Sequence, residues 1–178
     1  VGMIMAYEVS KVLKYKEKEV STPLGIADCF LIEEQPVLAT ILRAGLGMHL
    51  GFLEMFDRAE NAFVSAYRKH STAEDFDIHV EYMASPDIQD KVLIISDPML
   101  ATGSSMHMVY KALMENGTPS KTIICAAIAA PEALTFLKDK LPKDTLYYLG
   151  AIDKELTANS YIVPGMGDAG DLAYGSKN

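Results

Sequence analysis

The run Asp97, Pro98, Met99, Leu100, Ala101, Thr102, Gly103, Ser104, Ser105 follows an apolar stretch, Val92 to Ser96, and precedes one with helical spacing. A strand, a turn and a helix start in that order expose N–H groups that lack partners inside the helix, with the positive helix end behind them. Thr102, Ser104 and Ser105 add hydroxyls, and Gly103 lets the backbone come close, an arrangement suited to a phosphate. No Lys follows the glycine, so this is not the loop of nucleoside triphosphatases. Asp97, at the strand end, can accept hydrogen bonds from sugar hydroxyls, directly or through a metal-bound water. Taken alone, the same residues also suit a helix capped by Ser104 or Ser105 and a turn closed by Asp97.

Two further segments have chemical potential. In Ile41 to Met48, an apolar strand end passes into a small-residue turn holding Arg43, Ala44, Gly45 and Gly47. An Arg there offers phosphate oxygens a planar, permanently charged fork, although a single strand-end Arg more often sits in a surface ion pair. In Tyr161 to Asp171, Pro164 stiffens the entry, while Gly165, Gly167 and Gly170 allow sharp turns that expose backbone amides. Read without the rest, this is a glycine-rich surface loop with solvated Asp168 and Asp171.

The elements that must carry these turns alternate in type. Short β-rich runs occur at Val37 to Leu42, Ala62 to Tyr67, Val92 to Ser96, Thr122 to Ala129 and Leu146 to Ile152. Helical patterns occupy Ser104 to Glu115, stopped by Asn116 and Gly117, and Pro131 to Leu141, with Pro131 suited to a first turn. The expectation is an α/β, Rossmann-like fold whose mostly parallel central sheet is flanked by helices and binds ligands at the carboxyl ends of its strands. His70 to Asp90 breaks the rhythm. It is polar and acidic, with Ile78, Val80 and Tyr82 alternating, and reads as a hairpin or mobile flap. The tail from Val163 to Asn178 shows little helix or strand pattern.

Composition excludes several classes. The chain has 178 residues, 49% apolar and 22% charged, which suits one domain over 1–178. Its net charge of −8 repels a polyanionic backbone, so no nucleic acid is expected as main partner. No apolar run approaches the roughly 20 residues needed to cross a bilayer, so no membrane partner is expected either. Cys29 and Cys125 lie in apolar stretches and read as buried free thiols of a reducing, cytoplasmic compartment. His49, His70, His79 and His107 lack metal-site spacing and read as surface or packing residues. Val1 is not a start methionine and Gly2 to Val12 resembles the middle of an apolar helix, so an upstream segment is expected.

The run Asp97 to Ser105 resembles the 5-phosphoribosyl-1-pyrophosphate (PRPP) signature of phosphoribosyltransferases, in the form used by the uracil-specific family. Ile41 to Met48 is similar to that family's pyrophosphate loop almost letter for letter, and Tyr161 to Asp171 to its base loop. The resemblance runs from Tyr7 and Glu8 through Gly175, while the family's amino-terminal arm has no counterpart in this sequence. It implies conversion of uracil and PRPP to UMP and pyrophosphate in pyrimidine salvage, with Mg²⁺ held mainly by PRPP and water.

By that resemblance Met99, Leu100, Ala101, Thr102, Gly103, Ser104 and Ser105 hold the 5′-phosphate side of PRPP, and Asp97 faces the ribose. Ser104 departs from the family, which usually has a second Gly there. Arg43, Ala44 and Gly45 contact pyrophosphate across a loop that tends to contain a non-proline cis peptide, expected between Leu42 and Gly45. Arg68 maps to a second pyrophosphate contact at the start of a flexible flap, about 69–90, which matches the family poorly. Ile162, Gly167 and Ala169 read uracil through their backbones in a hood loop, about 161–171, with Tyr161 and Asp168 beside the ribose. Asp168, Arg43 and Arg68 form the expected catalytic set. A homodimer or higher assembly is implied, with a GTP effector in some members. The rivals are an RNA-binding regulator of pyrimidine operons on the same fold, with weak transferase activity, and a purine-specific transferase.

Overall fold

The computed structural model describes residues 1–72 and 75–176, with the backbone alone over 66–72 and 75–80. The element order is α1 (Gly2–Ser10), β1 (Tyr15–Thr22), β2 (Gly25–Ile32), β3 (Val37–Leu42), α2 (Leu46–Leu53), β4 (Glu60–Thr72) and β5 (Asp75–Ala84). There follow β6 (Val92–Ser96), β7 (Met99–Leu100), α3 (Ser104–Leu113), β8 (Lys121–Ala129), α4 (Pro131–Lys140), β9 (Leu146–Ile152), β10 (Glu155–Leu156), β11 (Ile162–Val163) and α5 (Ala169–Tyr174).

A seven-stranded sheet runs β5-β4-β3-β6-β8, with β9 on the far side of β8 and β7 continuing the line of β6 beside β8. Its pairings are parallel except β4 with β5. The central strands β3, β6 and β8 are almost continuously apolar because both faces are covered. Val37, Ala39, Ile41, Leu93, Ile95 and Ile124 face one core with Met106, Val109 and Leu113 of α3 and Ala133 and Leu137 of α4. Leu38, Ile94, Ile123 and Cys125 face the other, against Met5 and Val9 of α1 and Met48 and Phe52 of α2. Alternate side chains therefore serve opposite faces, as the two-residue strand period requires.

Several local expectations change. The Ala62 to Tyr67 strand extends to Glu60–Thr72 and pairs antiparallel with β5, which carries Ile78, Val80 and Tyr82. The hairpin half of the His70 to Asp90 reading is thus observed over the described backbone; residues 73–74 lie outside it. The glycine-rich tail is more ordered in pattern than its composition implies, forming β11 and then α5. Cys29 is a correction too. It sits half-buried on the β1/β2 hairpin, whose β1 strand is exposed throughout, while Cys125 is buried in β8.

Candidate active site

Register places the ends of the parallel strands at one edge. Thr40 of β3 pairs with Ser96 of β6, and Leu42 pairs with Ser65 of β4, so the turns after Leu42 and Ser96 leave the sheet side by side. Hydrogen bonds tie them together: Thr40 Oγ1 donates to the Ser96 carbonyl at 3.2 Å. Gly45 sits in this junction, where a Cβ would lie 2.2 Å from Thr40 Oγ1, 2.8 Å from the Ile41 carbonyl oxygen and 3.0 Å from that of Ser96. Only a residue without a side chain lets the two turns touch. The Leu42–Arg43 peptide is cis, inside the span named from the sequence.

After β6 the chain makes its phosphate-type turn. The Asp97 N–H donates to the Cys125 carbonyl at 3.1 Å, and Ile128 N–H returns to the Pro98 carbonyl at 3.1 Å, locking the turn onto β8. Met99 and Leu100 are β7, and Ala101 and Thr102 lead to Gly103, which precedes α3 at φ +81. A Cβ there would also meet Leu137 and Phe136 of α4 at 3.0 and 3.1 Å, so the α3 start is pressed onto α4. The Ser104 N–H bonds Thr102 Oγ1 at 3.3 Å, and Thr102 Oγ1 donates to Ser104 Oγ at 3.1 Å. Ser105 and Met106 N–H have no acceptor among the described residues, leaving the donors that a helix start offers an anion.

Asp97 is half-buried at the strand end. Desolvation pushes its carboxyl up to about 7, partly opposed by a hydrogen bond from the Met99 N–H. A carboxyl poised in this way ionises readily when a cation arrives, which fits a Mg²⁺ brought in by a sugar pyrophosphate and touched by few protein oxygens. Among the described residues no cluster of three or more His, Cys, Asp or Glu could hold a metal alone.

The third turn lies between β11 and α5, and is tied back to the end of β9. Asp153 Oδ2 accepts the Gly165 N–H at 3.0 Å, and Lys154 N–H donates to the Val163 carbonyl at 3.1 Å, pinning the loop beside the strand end. The Val163–Pro164 peptide is cis, and Gly167 has φ +75 with open space around it. Ile162 and Ala169 are buried, while Tyr161 is 51% exposed. Asp168 caps α5, its Oδ1 accepting the Asp171 N–H at 3.0 Å.

The base loop and the Arg43 turn touch. Arg43 Nη2 donates to Asp171 Oδ1 at 2.8 Å and to the Gly175 carbonyl at 3.1 Å. A Cβ on Gly170 would lie 3.7 Å from that of Ala44. The structure thus gathers Arg43, Ala44 and Gly45 with Asp168 and Ala169, beside the Asp97 turn. Arg68 lies on the β4 backbone just past the same edge, but its side chain is outside the described residues, as are the side chains over 69–80 of the expected flap. Sequence reasoning assigned no task to Asp153 or Asp171. Asp153 had a faint signal, an acidic residue just past an apolar strand, as at Asp97.

His49 is the buried one of the histidines whose side chains are described. It is 1% exposed on α2, with its ring 5.1 Å from that of Phe63. Neither ring nitrogen has a hydrogen-bond partner; the Asn61 side chain approaches without good geometry, and desolvation lowers the ring pKa. It packs rather than reacts.

A mostly parallel sheet with an anion-type helix start, an Arg turn and a hooded loop at one edge is the architecture of the phosphoribosyltransferases. A purine phosphoribosyltransferase from Pyrococcus horikoshii superposes with a TM-score of 0.54 at 12% identity, covering 86% of this chain and 84% of that one, which shows the shared fold. A protein of Aquifex aeolicus fits more closely, with a TM-score of 0.88 at 33% identity over 98% of this chain and 82% of that one. The family model described as uracil phosphoribosyltransferase matches residues 1–176. A uracil phosphoribosyltransferase of Porphyromonas gingivalis is 56% identical over 99% of this chain and 82% of its own length. Another, from Methanothermobacter thermautotrophicus, is 38% identical over 98% and 80%. The chain belongs to the uracil phosphoribosyltransferase family and is a pentosyl-transferring enzyme.

Proposed function

We propose that the chain transfers the phosphoribosyl group of PRPP to N1 of uracil, giving UMP and pyrophosphate in pyrimidine salvage. The observation that carries this reading is the junction of Arg43 and Ala44 with Asp171 and Gly170 at the edge where the Asp97 turn also leaves the sheet. One substrate can then span from an anion-binding helix start to a charged fork while a flat base lies under the hood. Thr102, Gly103, Ser104 and Ser105, entered through Met99, Leu100 and Ala101, hold the 5′-phosphate. Asp97 holds the ribose, and Arg43, Ala44, Gly45 and Arg68 hold the pyrophosphate.

Ile162, Gly167 and Ala169 recognise uracil through main-chain groups, with Tyr161 and Asp168 beside the reacting carbon. Uracil offers two carbonyl acceptors and a ring donor, so a fixed backbone can distinguish it from cytosine, whose amino group would meet a donor. Mg²⁺, when bound with PRPP, neutralises the departing pyrophosphate. Displacement at C1′ passes through an oxocarbenium-like state, so catalysis rests on positioning and on charge near that carbon. Asp168 steadies the cation or takes the uracil proton.

A cytoplasmic homodimer or larger assembly is the working form, and GTP as an effector belongs to the same reading. The regulator alternative gains nothing from the lysines of the amino-terminal segment. Lys16 and Lys18 share one face of β1 while Glu17 and Glu19 take the other, so the basic stripe is two residues long, set opposite Leu31 and Cys29 of β2. Lys11 is paired with Glu8 at 2.7 Å; that is too little for an RNA backbone on a chain of net charge −8.

Incubation with PRPP, Mg²⁺ and each nucleobase in turn, followed by pyrophosphate release and product mass, tests the proposal. Release that requires uracil and Mg²⁺ and yields UMP supports it. Release driven equally by a purine, or absent with uracil, overturns it.

A further inference from the structure

Asp171 has no role in transfer as described, yet it joins two parts of the site that lie 128 residues apart in sequence. Arg43 Nη2 gives one hydrogen to Asp171 Oδ1 at 2.8 Å and one to the Gly175 carbonyl at 3.1 Å. A guanidinium carries five donors, so three remain. Nε is buried without any partner, and Nη1 has none among the described residues.

The side chains of Arg43 and Asp171 are each 38% exposed, and an ion pair so open to water contributes only about 0.2–1 kcal/mol to folding. Its effect is therefore geometric. It fixes the plane of the fork while leaving a buried Nε–H that becomes satisfied only when an acceptor arrives, and such an unmet donor costs about 1–3 kcal/mol. A sequestering role would be expected to occupy more of the fork than one terminal nitrogen.

We propose that Asp171 is a positioning residue for the reaction, holding the Arg43 fork in the pose that receives the pyrophosphate of PRPP. The inference rests on the reading of Arg43 as a pyrophosphate contact. Asp171→Asn retains the backbone N–H that bonds Asp168, so the start of α5 keeps its cap.

The test is kcat/KM for PRPP, with Mg²⁺ and saturating uracil, in Asp171→Asn, Arg43→Ala and the double variant, with Arg43→Lys as a second background should the Ala protein fold poorly. The Asn variant is expected to lose on the order of tenfold, the scale of a misaligned contact, with Tm nearly unchanged. In the Arg43→Ala background the same change should cost less than about twofold, because nothing remains to be aligned. Equal losses in both backgrounds would mark a merely structural carboxylate and overturn the proposal, as would an Asn variant with unchanged or improved kcat/KM. If Arg43→Ala itself leaves kcat/KM for PRPP intact, the reading of the site fails, and the inference with it.

Discussion

Asp168 Oδ1 accepts the backbone N–H of Asp171 at 3.0 Å, so the carboxylate assigned to the reacting carbon also caps the short helix α5. The two tasks separate by substitution. Asn caps helices about as well as Asp, whereas Ala forfeits roughly 1 kcal/mol. Asp168→Asn is therefore expected to keep Tm within a few degrees and lower kcat on the order of a hundredfold, with PRPP binding little changed. Asp168→Ala should lose both activity and stability. Steady-state rates beside calorimetric Tm values check this, and an Asn variant with native kcat removes Asp168 from the chemistry.

Folding raises the Asp97 carboxyl from an ordinary 3.8 to about 7 through desolvation. Between those values the native protein holds this proton more tightly than the unfolded chain does. The contribution is fully present below about 3.8 and is lost as pH rises through 7. At about 1.4 kcal/mol per pKa unit the ceiling is roughly 4 kcal/mol, and solvent reaching the half-buried group reduces it to about 1–2 kcal/mol. Asp97→Asn should thus stabilise the ligand-free protein at pH 8 and leave it unchanged near pH 3.5, while raising the KM for PRPP. Denaturant titrations at both pH values decide it; equal effects at the two would contradict the assignment.

How much of this was legible beforehand depended on burial. β3 and β6 match the expected runs residue for residue, because strands buried between layers read as short apolar blocks between turn signals, and β9 matches as well on its apolar composition although its far end is exposed. The α3 and α4 boundaries were marked by Gly103 and Pro131. The β1/β2 hairpin was not visible, since almost nothing on it is buried and Lys and Glu alternate along β1. Helix α2 is apolar nearly all round and contains Gly47 and Gly51, so it read as a turn. The three motifs were local and therefore readable. The Arg43–Asp171 pair had no local sign at all, because it exists only once the topology closes.

His49 tests the cost of that closed topology at low pH. Its folded-state pKa lies below the ordinary 6.5 because burial disfavours the charged ring. Stability from the neutral ring is fully present above 6.5 and is lost progressively below it, until pH has fallen through the depressed folded-state value, since the unfolded chain takes up the proton first. His49→Leu, close in volume and without unpaired nitrogens, should flatten the fall in Tm between pH 6.5 and 5 without changing kcat at pH 8. A variant with the wild-type slope would assign the acid sensitivity elsewhere.

Gly45 at the start of α2 and Gly47 within its first turn stand two residues apart and should respond oppositely to alanine. A methyl at Gly45 meets Thr40 Oγ1, the Ile41 carbonyl and the Ser96 carbonyl, two of them backbone atoms that cannot swing aside. The β3 and β6 turns would have to part, at about 3 kcal/mol, and the Arg43 fork would move with them. A methyl at Gly47 meets only the Tyr174 hydroxyl at 3.6 Å, an ordinary contact, on an exposed position within α2. There the gain in helix propensity, about 0.5 kcal/mol near a helix end, should leave Tm level or slightly raised. Gly45→Ala is expected to lower both Tm and kcat/KM for PRPP by large factors while Gly47→Ala changes kcat/KM less than about threefold. Equal tolerance at the two positions would mean that the β3 and β6 turns do not meet at Gly45 and that no shared edge holds the two ends of the substrate.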